Sequence, residues 1–219
     1  HKLDGRVFFK DNQLRLSDSG LQLDKISGQL GFDLEGLESK NLQARLLNSP
    51  IDVKISNDAS NMTHFKTRLN LHTRQLQELV SAVPANIVSG KTNWDIDLQI
   101  PPVSAMQNKA SILNISSELQ GVAINAPAPL QKNADEKRTL SLTARLQPGS
   151  ELPLDFVYDK NIHASLLLDT SDQHAPTLKS GQIHFGKKKP GKPPAQTISL
   201  TGKLESIKLD SWIEWLTAM

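Results

Sequence analysis

The 219-residue chain contains no cysteine, which excludes a disulfide framework, a thiolate metal site and a cysteine nucleophile together. A chain without thiols suits an oxidising compartment such as a periplasm. Long apolar runs are missing too: no window approaches the roughly eighteen uninterrupted residues of a membrane span, and no charged-then-apolar leader opens the chain. Nor is there an excess of one charge. With 25 basic residues interleaved among 23 acidic ones, the net charge is +2, and the long-range field that nucleic-acid binding requires is absent. Aromatic residues make up only 5%, so stacking platforms for bases are scarce. No G-x-S-x-G elbow, P-loop, G-x-G-x-x-G or H-E-x-x-H is present, and no cofactor is implied. The chain opens on His1 and not methionine, and it is expected to be an internal piece of a longer protein.

What is present is a period of two. Short apolar-polar alternations bounded by turn residues run through most of the chain, the pattern of half-buried antiparallel strands. RVFF, LRL and LQL, separated by Asp11-Asn12 and Asp18-Ser19-Gly20, predict a meander of three short strands. In ISGQLGFDLEG, the residues Ile26, Gly28, Leu30, Phe32 and Leu34 share one face. Leu42, Ala44 and Leu46 follow in NLQARLL, then Ile51, Val53 and Ile55 in IDVKIS, and Phe65, Thr67, Leu69 and Leu71 in HFKTRLNLH. NWDIDLQI aligns Trp94, Ile96, Leu98 and Ile100 before Pro101-Pro102 stops it. ASILNIS, TLSLTARL, LPLDFVY, IHASLLL, GQIHF and TISLTGKL continue the series, with Asp159-Lys160-Asn161 as a tight connection.

The period changes twice. Leu76, Leu79, Val80 and Val83 fall at i, i+3, i+4 and i+7 before Pro84, which predicts a short amphipathic helix over 73–83. Trp212, Trp215, Leu216 and Met219 repeat that spacing, with Ser211 and Glu214 as a capping box. Each helix follows an alternating strand, so the chain reads as one β-rich unit, residues 1–219, with a repeat seam near 84–90, or as an α+β domain capped by two unrelated helices.

Titratable residues point away from catalysis. His64 and His72 have the parity opposite to Phe65, Leu69 and Leu71, and His163 the parity opposite to Ile162, Ala164 and Leu166, which predicts positions on the solvated side of the sheet. Asp33-Glu35 and Asp95-Asp97 alternate with inward apolar residues and read as a solvated face. Lys187, Lys188, Lys189 and Lys192 lie among glycines and prolines and predict a solvated hairpin loop, while APAPLQKNADEKR reads as a rim loop. The excess of apolar strand faces remains. In a sandwich such faces pack on one another, and in an open curved sheet they line a trough; periodicity alone leaves both open.

Four stretches resemble one family. ISGQLGFDLEGLESKNLQARLLNSPIDVKIS is similar to the repeated sheet unit of the AsmA-like superfamily, most closely its YhdP-type branch: a Gly-x-Leu-x-Phe strand, a turn, an alternating strand and a "pi-v-i" strand. INAPAPLQKNADEKRTLSL resembles that branch's proline-containing loop, SGQIHFG its Gly-strand-Gly segment, and LTGKLESIKLDSWIEWL its strand leading into a Trp-bearing helix. The similarity as a whole touches Gly5 through Trp215. The basic loop around Lys189 has no counterpart in the pattern.

The resemblance implies a mainly β fold: an elongated, curved antiparallel sheet forming an open groove, repeat-like, with two short amphipathic helices. It implies a segment of a periplasmic conduit that moves phospholipid between inner and outer membranes, as part of a protein held in the inner membrane by an anchor outside this segment. Its partners would be phospholipid acyl chains and an outer-membrane or envelope protein, with no nucleic acid and no enzyme activity. The apolar concave face is expected to be built from Leu30, Phe32, Leu42, Ala44, Leu46, Val53, Ile55, Leu69, Leu71, Ile96 and Leu98. An aliphatic strip suits such cargo, since withdrawing an acyl chain from water is worth about 0.8 kcal/mol per methylene. The alternative is a structural or protein-binding β module of the envelope, recruiting a partner at a strand edge.

Overall fold

A computed structural model describes residues 4–15, 22–33, 36–75, 87–172, 176–187, 191, 196–204 and 206–217, with the side chains of Lys40 and Leu216 left aside. Strands dominate: β1 (Asp4–Arg15), β2 (Gln22–Asp33), β3 (Leu37–Leu46), β4 (Ser49–Asn57), β5 (Thr63–His72), β6 (Val88–Ile100), β7 (Ser111–Ser117), β8 (Val122–Ile124), β9 (Leu140–Leu146), β10 (Glu151–Tyr158), β11 (Ile162–Asp169), β12 (Thr177–Phe185) and β13 (Ile198–Gly202). A helix, α1, spans Leu209–Thr217. The expected class, a mainly β curved sheet with short helices, is the class observed.

All thirteen strands among the described residues belong to one sheet, ordered β1-β2-β3-β4-β5-β6-β7-β9-β10-β11-β12-β13, with β8 paired to the start of β6. Neighbours along the path are mostly sequence neighbours, because compact turns join antiparallel strands directly. Asp58 forms one such turn, accepting from the backbone N–H groups of Ser60 and Met62. Asp159 and Lys160 take positive φ between Tyr158 and Ile162, making the expected tight connection.

Four local expectations are corrected. Asp11-Asn12 is not a turn: β1 runs through it as one strand, with Asp11 at φ 55° and a register shift that absorbs the extra residue as a bulge. Gln22 and Leu23 likewise continue into ISGQLGFD as β2, with Lys25 at φ 53°, so the three-strand meander does not form; residues 16–21 lie outside the described residues. Helix α1 begins at Leu209, which places Ser211 inside the helix and removes the capping box. The strands flanking the lysine run pair in parallel, Gly181 opposite Ile198 and Phe185 opposite Gly202, which a hairpin connection does not allow; Lys188, Lys189 and Lys192 themselves lie outside the described residues. This is the one parallel pairing among the described strands.

At the first predicted helix, Thr73, Arg74 and Gln75 are helical; Leu76, Leu79, Val80 and Val83 lie outside the described residues. The sheet passes directly from β5 to β6 on either side of this segment, with Thr63 through His72 paired to Ile100 through Lys91.

Candidate functional site

Cross-strand partners in a sheet point to the same side, so the register sorts every strand residue onto one of two faces. On β4, β5 and β6, Val53 pairs Thr67 and Thr67 pairs Ile96, while Ile55 pairs Phe65 and Phe65 pairs Leu98. Leu42 pairs Val53 and Ala44 pairs Ile51, Leu46 pairs Leu23, and Leu30 pairs Val7. Followed through the whole register, all eleven residues anticipated for the groove fall on one face. The same face continues through Leu113, Ile115, Leu142, Ala144, Leu154, Phe156, Ala164, Leu166 and Ile183. It ends on Ile198 and Leu200 at the β13 edge.

The apolar face is therefore continuous across the strands rather than along them. Twelve strands in the path, at about 4.8 Å per step, give it a length of about 50 Å. Among the described residues no second sheet covers it. Its exposure is graded. Ala44, Leu46, Ile55, Leu69 and Leu71 are buried, whereas Leu30, Phe32, Leu42, Val53, Ile96 and Leu98 are half-buried. At the two edges Val7, Ile198 and Leu200 are exposed.

Ala44, Leu46, Leu69 and Leu71 lie toward one end of the strands, in a cluster that a folded-over segment joins, while Ile55 is buried nearer the other end. Residues 126–138, expected as a rim loop, belong to a longer segment, 118–139, that carries β8, paired with β6 from Val88 to Gly90, and packs Leu119, Val122 and Leu130 into the cluster formed by Leu69, Leu71, Tyr158 and Ile162. Gly90 permits the approach: at φ +118°, a Cβ there would stand 2.1 Å from the Gly121 carbonyl oxygen. Side chains then clamp this segment by its carbonyls. Tyr158 Oη donates to Leu130 O at 3.1 Å, and Lys132 Nζ donates to Val122 O at 2.7 Å and Asn133 O at 2.8 Å. Trp212 and Trp215 of α1 donate their indole N–H groups to Ala128 O and Asn125 O, each at 3.0 Å.

Lys132 is only 2% exposed. Burial pushes its ammonium below the ordinary lysine range, with Glu136 pulling the other way and Arg138 adding to the depression. Burial likewise raises the Tyr158 phenol above its usual value, against the pull of nearby Arg138. No sequence pattern signalled these residues; a lone lysine between proline and acidic residues carries no periodicity.

The opposite face is charged, and several of its charges engage one another. Arg68 binds both oxygens of Asp95, at 2.6 and 2.9 Å, and Arg145 reaches Asp155 at 2.9 Å. His64 sits between two carboxylates, its Nδ1 3.0 Å from Asp97 and its Nε2 3.3 Å from Asp58. A depression of about 500 Å³ on this face is lined by Asp52, Lys54, Lys66, Arg68, Asp95 and Asp97, whose formal charges cancel. Asp95 and Asp97 thus belong to the polar face, as their alternation implied. Among the described residues no group of acidic or histidine side chains is arranged to hold a metal.

His163 departs from expectation. Parity puts it on the polar face opposite His184, yet it is 8% exposed, with Nε2 against Lys160 O and Nδ1 buried without a partner. Parity reports the side of a sheet and not what covers it.

The fold and its face define an open single-sheet β protein, in which apolar side chains form a strip across many strands instead of the filling between two layers. A family model described as YhdP protein matches residues 1–219, and the chain belongs to the YhdP family, within the AsmA-like proteins that its sequence resembles. This is an envelope family of lipid-transport proteins. Comparison with curated proteins and with solved structures finds no match. No helix among the described residues is long and apolar enough to cross a membrane.

Proposed function

We propose that this chain is a segment of a periplasmic lipid conduit, in which phospholipid acyl chains move across the strands along the apolar face. The observation that carries the reading is the register: the twelve strands of the path present one continuous, largely apolar side that no second sheet covers among the described residues. The face is about 50 Å long, whereas one acyl chain spans about 15 Å, half a bilayer's hydrocarbon core. A strip of that length holds cargo at successive positions. Aliphatic side chains offer no hydrogen bond at which a tail would stall, so the free-energy profile along the strip is shallow.

The half-buried residues Leu42, Val53, Ile96 and Leu98 are the contact surface, and the buried ones beneath the 118–139 segment are its foundation. No reaction is proposed; His64, the histidine of the polar face set between carboxylates, is held by Asp58 and Asp97. In this reading an inner-membrane anchor and an envelope partner, both implied by the family, hold the conduit in place, and the seam near 84–90 would mark the junction between its units.

Protein purified without detergent should carry phospholipid in native mass spectrometry, and a photoreactive residue at Val53 or Ile96 should crosslink to it. Lipid-free protein with no crosslink at either position would overturn the reading. A structural β module that recruits a partner by an edge strand would give that result.

A further inference from the structure

The apolar face is closed at one end of the strands by residues 118–139, and its other end leads into a cavity. This cavity, of about 480 Å³, lies between the segment after β6 and the turn joining β9 to β10. Ser111, Leu146 and Leu152 in its lining belong to the apolar face, since Ser111 pairs Leu146 on β7 and β9, and Leu152 pairs Leu168 on β10 and β11. Pro101 and Met106 extend the lining outward, and Leu146 and Met106 are 38% and 43% exposed. An apolar strip that ends in an accessible apolar cavity is a place where a tail can enter or leave.

The charge at the cavity is unbalanced. Glu151, its acidic member, is bound by Lys179. Lys109, its basic member, is exposed and has no acidic partner among the described residues. An ammonium of that kind beside an apolar cavity matches a ligand with a negative head and an aliphatic tail, because the tail gains from leaving water while the head stays solvated against a cation. Pro101-Pro102 and the 3-10 turn Val103–Ala105 fix the segment, and Lys109 N–H donates to Ala105 O at 2.9 Å, which sets the direction in which the lysine leaves the backbone.

We propose that Lys109 and the cavity bounded by Met106, Leu146 and Leu152 form a headgroup site for an anionic phospholipid, with its phosphate at the Lys109 ammonium and its tail running inward onto the apolar face. This rests on the lipid-conduit reading and adds to it an orientation: heads lie along the 101–111 side of the sheet, and the clamped 118–139 side takes none.

The test uses phosphatidylglycerol carrying a diazirine in one acyl chain, incubated with detergent-free protein, photolysed and mapped by peptide mass spectrometry. Labelling is expected on the peptides bearing Leu146 and Leu152, and at Ile96. Lys109→Glu should cut the Leu146 and Leu152 labelling about fivefold or more, the factor given by about 1 kcal/mol per basic residue near an anionic headgroup, and Lys109→Arg should retain it. Phosphatidylcholine, whose head carries no net charge, should label the cavity more weakly, and inorganic phosphate should not compete. Unchanged cavity labelling in Lys109→Glu, equal labelling by phosphatidylcholine, or displacement by inorganic phosphate would overturn the headgroup site while leaving the conduit reading intact. Labelling absent at Ile96 and Val53 in the unaltered protein would instead remove the conduit. Lys109 is exposed and outside the strands, so unchanged thermal melting of both variants checks that folding is not the cause.

Discussion

Leu69 on β5 and Trp94 on β6 are direct cross-strand partners on the apolar face, 2% and 9% exposed. Two registers further along the same strands, Phe65 faces Leu98 and both are half-buried. One face of one strand pair thus passes from interior to surface within a few residues.

That gradient predicts unequal costs for the same truncation. Leu69→Ala should destabilise by about 2–5 kcal/mol, as a cavity in a fixed surround, while Leu98→Ala should cost about 1 kcal/mol because much of its side chain already meets solvent. Urea denaturation of the two variants measures both. Equal losses would mean that the Leu98 region is as enclosed as the Leu69 region.

The two indole hydrogen bonds of α1 are expected to hold the 118–139 segment in place. Trp212→Phe and Trp215→Phe keep an aromatic ring while removing the N–H and part of the indole, so each should cost at least the hydrogen bond's about 0.5–1.5 kcal/mol. Hydrogen exchange at 122–132 should quicken in both variants and more in the double variant. Unaltered exchange would show that the segment is fixed by its own packing alone.

Lys132→Met preserves length and apolar bulk but leaves the buried Val122 carbonyl without its donor. Relief of the ammonium's desolvation opposes that loss; two bonds from a charged donor outweigh it, and a net cost of about 2 kcal/mol is expected by denaturant titration. The sign of the pH effect separates the contributions. The folded protein holds this lysine below its ordinary value, so the unfolded chain binds more protons in the interval between the lowered value and about 10.5. Stability of the unaltered protein relative to Lys132→Met should therefore rise with pH across that interval. A fall would contradict the burial.

Asp58 is held below the usual carboxylate range by the backbone N–H of Met62, then by that of Ser60, with His64 nearby. Its contribution to the turn is present above the unfolded value near 3.8 and is lost as pH falls through the lower folded value. In an NMR titration the Ser60 and Met62 amide shifts should move together with a midpoint below 3.8. A midpoint at or above that value would rule out the turn bonds as the cause.

Alternation alone placed the strands well, because a period of two is imposed by the pleat wherever one side is apolar and the other wet. The eleven face residues were legible for the same reason, and the register brings them together. Bulges were not legible: Asp11 and Lys25 are ordinary polar residues whose left-handed conformation follows from the pairing around them, so two continuous strands resembled a chain of short ones. The parallel docking of β13 depends on which strand it comes to rest against, which strand patterning does not encode. The closing segment escaped notice because its fit depends on backbone carbonyls of Asn125, Ala128 and Leu130 meeting side chains from distant strands and a helix, and carbonyls leave no trace in residue type.

A strip laid across strands draws only a few side chains from each of them. Any one substitution then alters a single step of many, roughening the path locally while its neighbours bridge the defect. Such a surface tolerates broad drift in residue identity provided that hydrophobic character persists at alternate positions, and its sensitive points are those where an inward charge would split it in two. Conductance, unlike catalysis, would fade by degrees as the chain diverges.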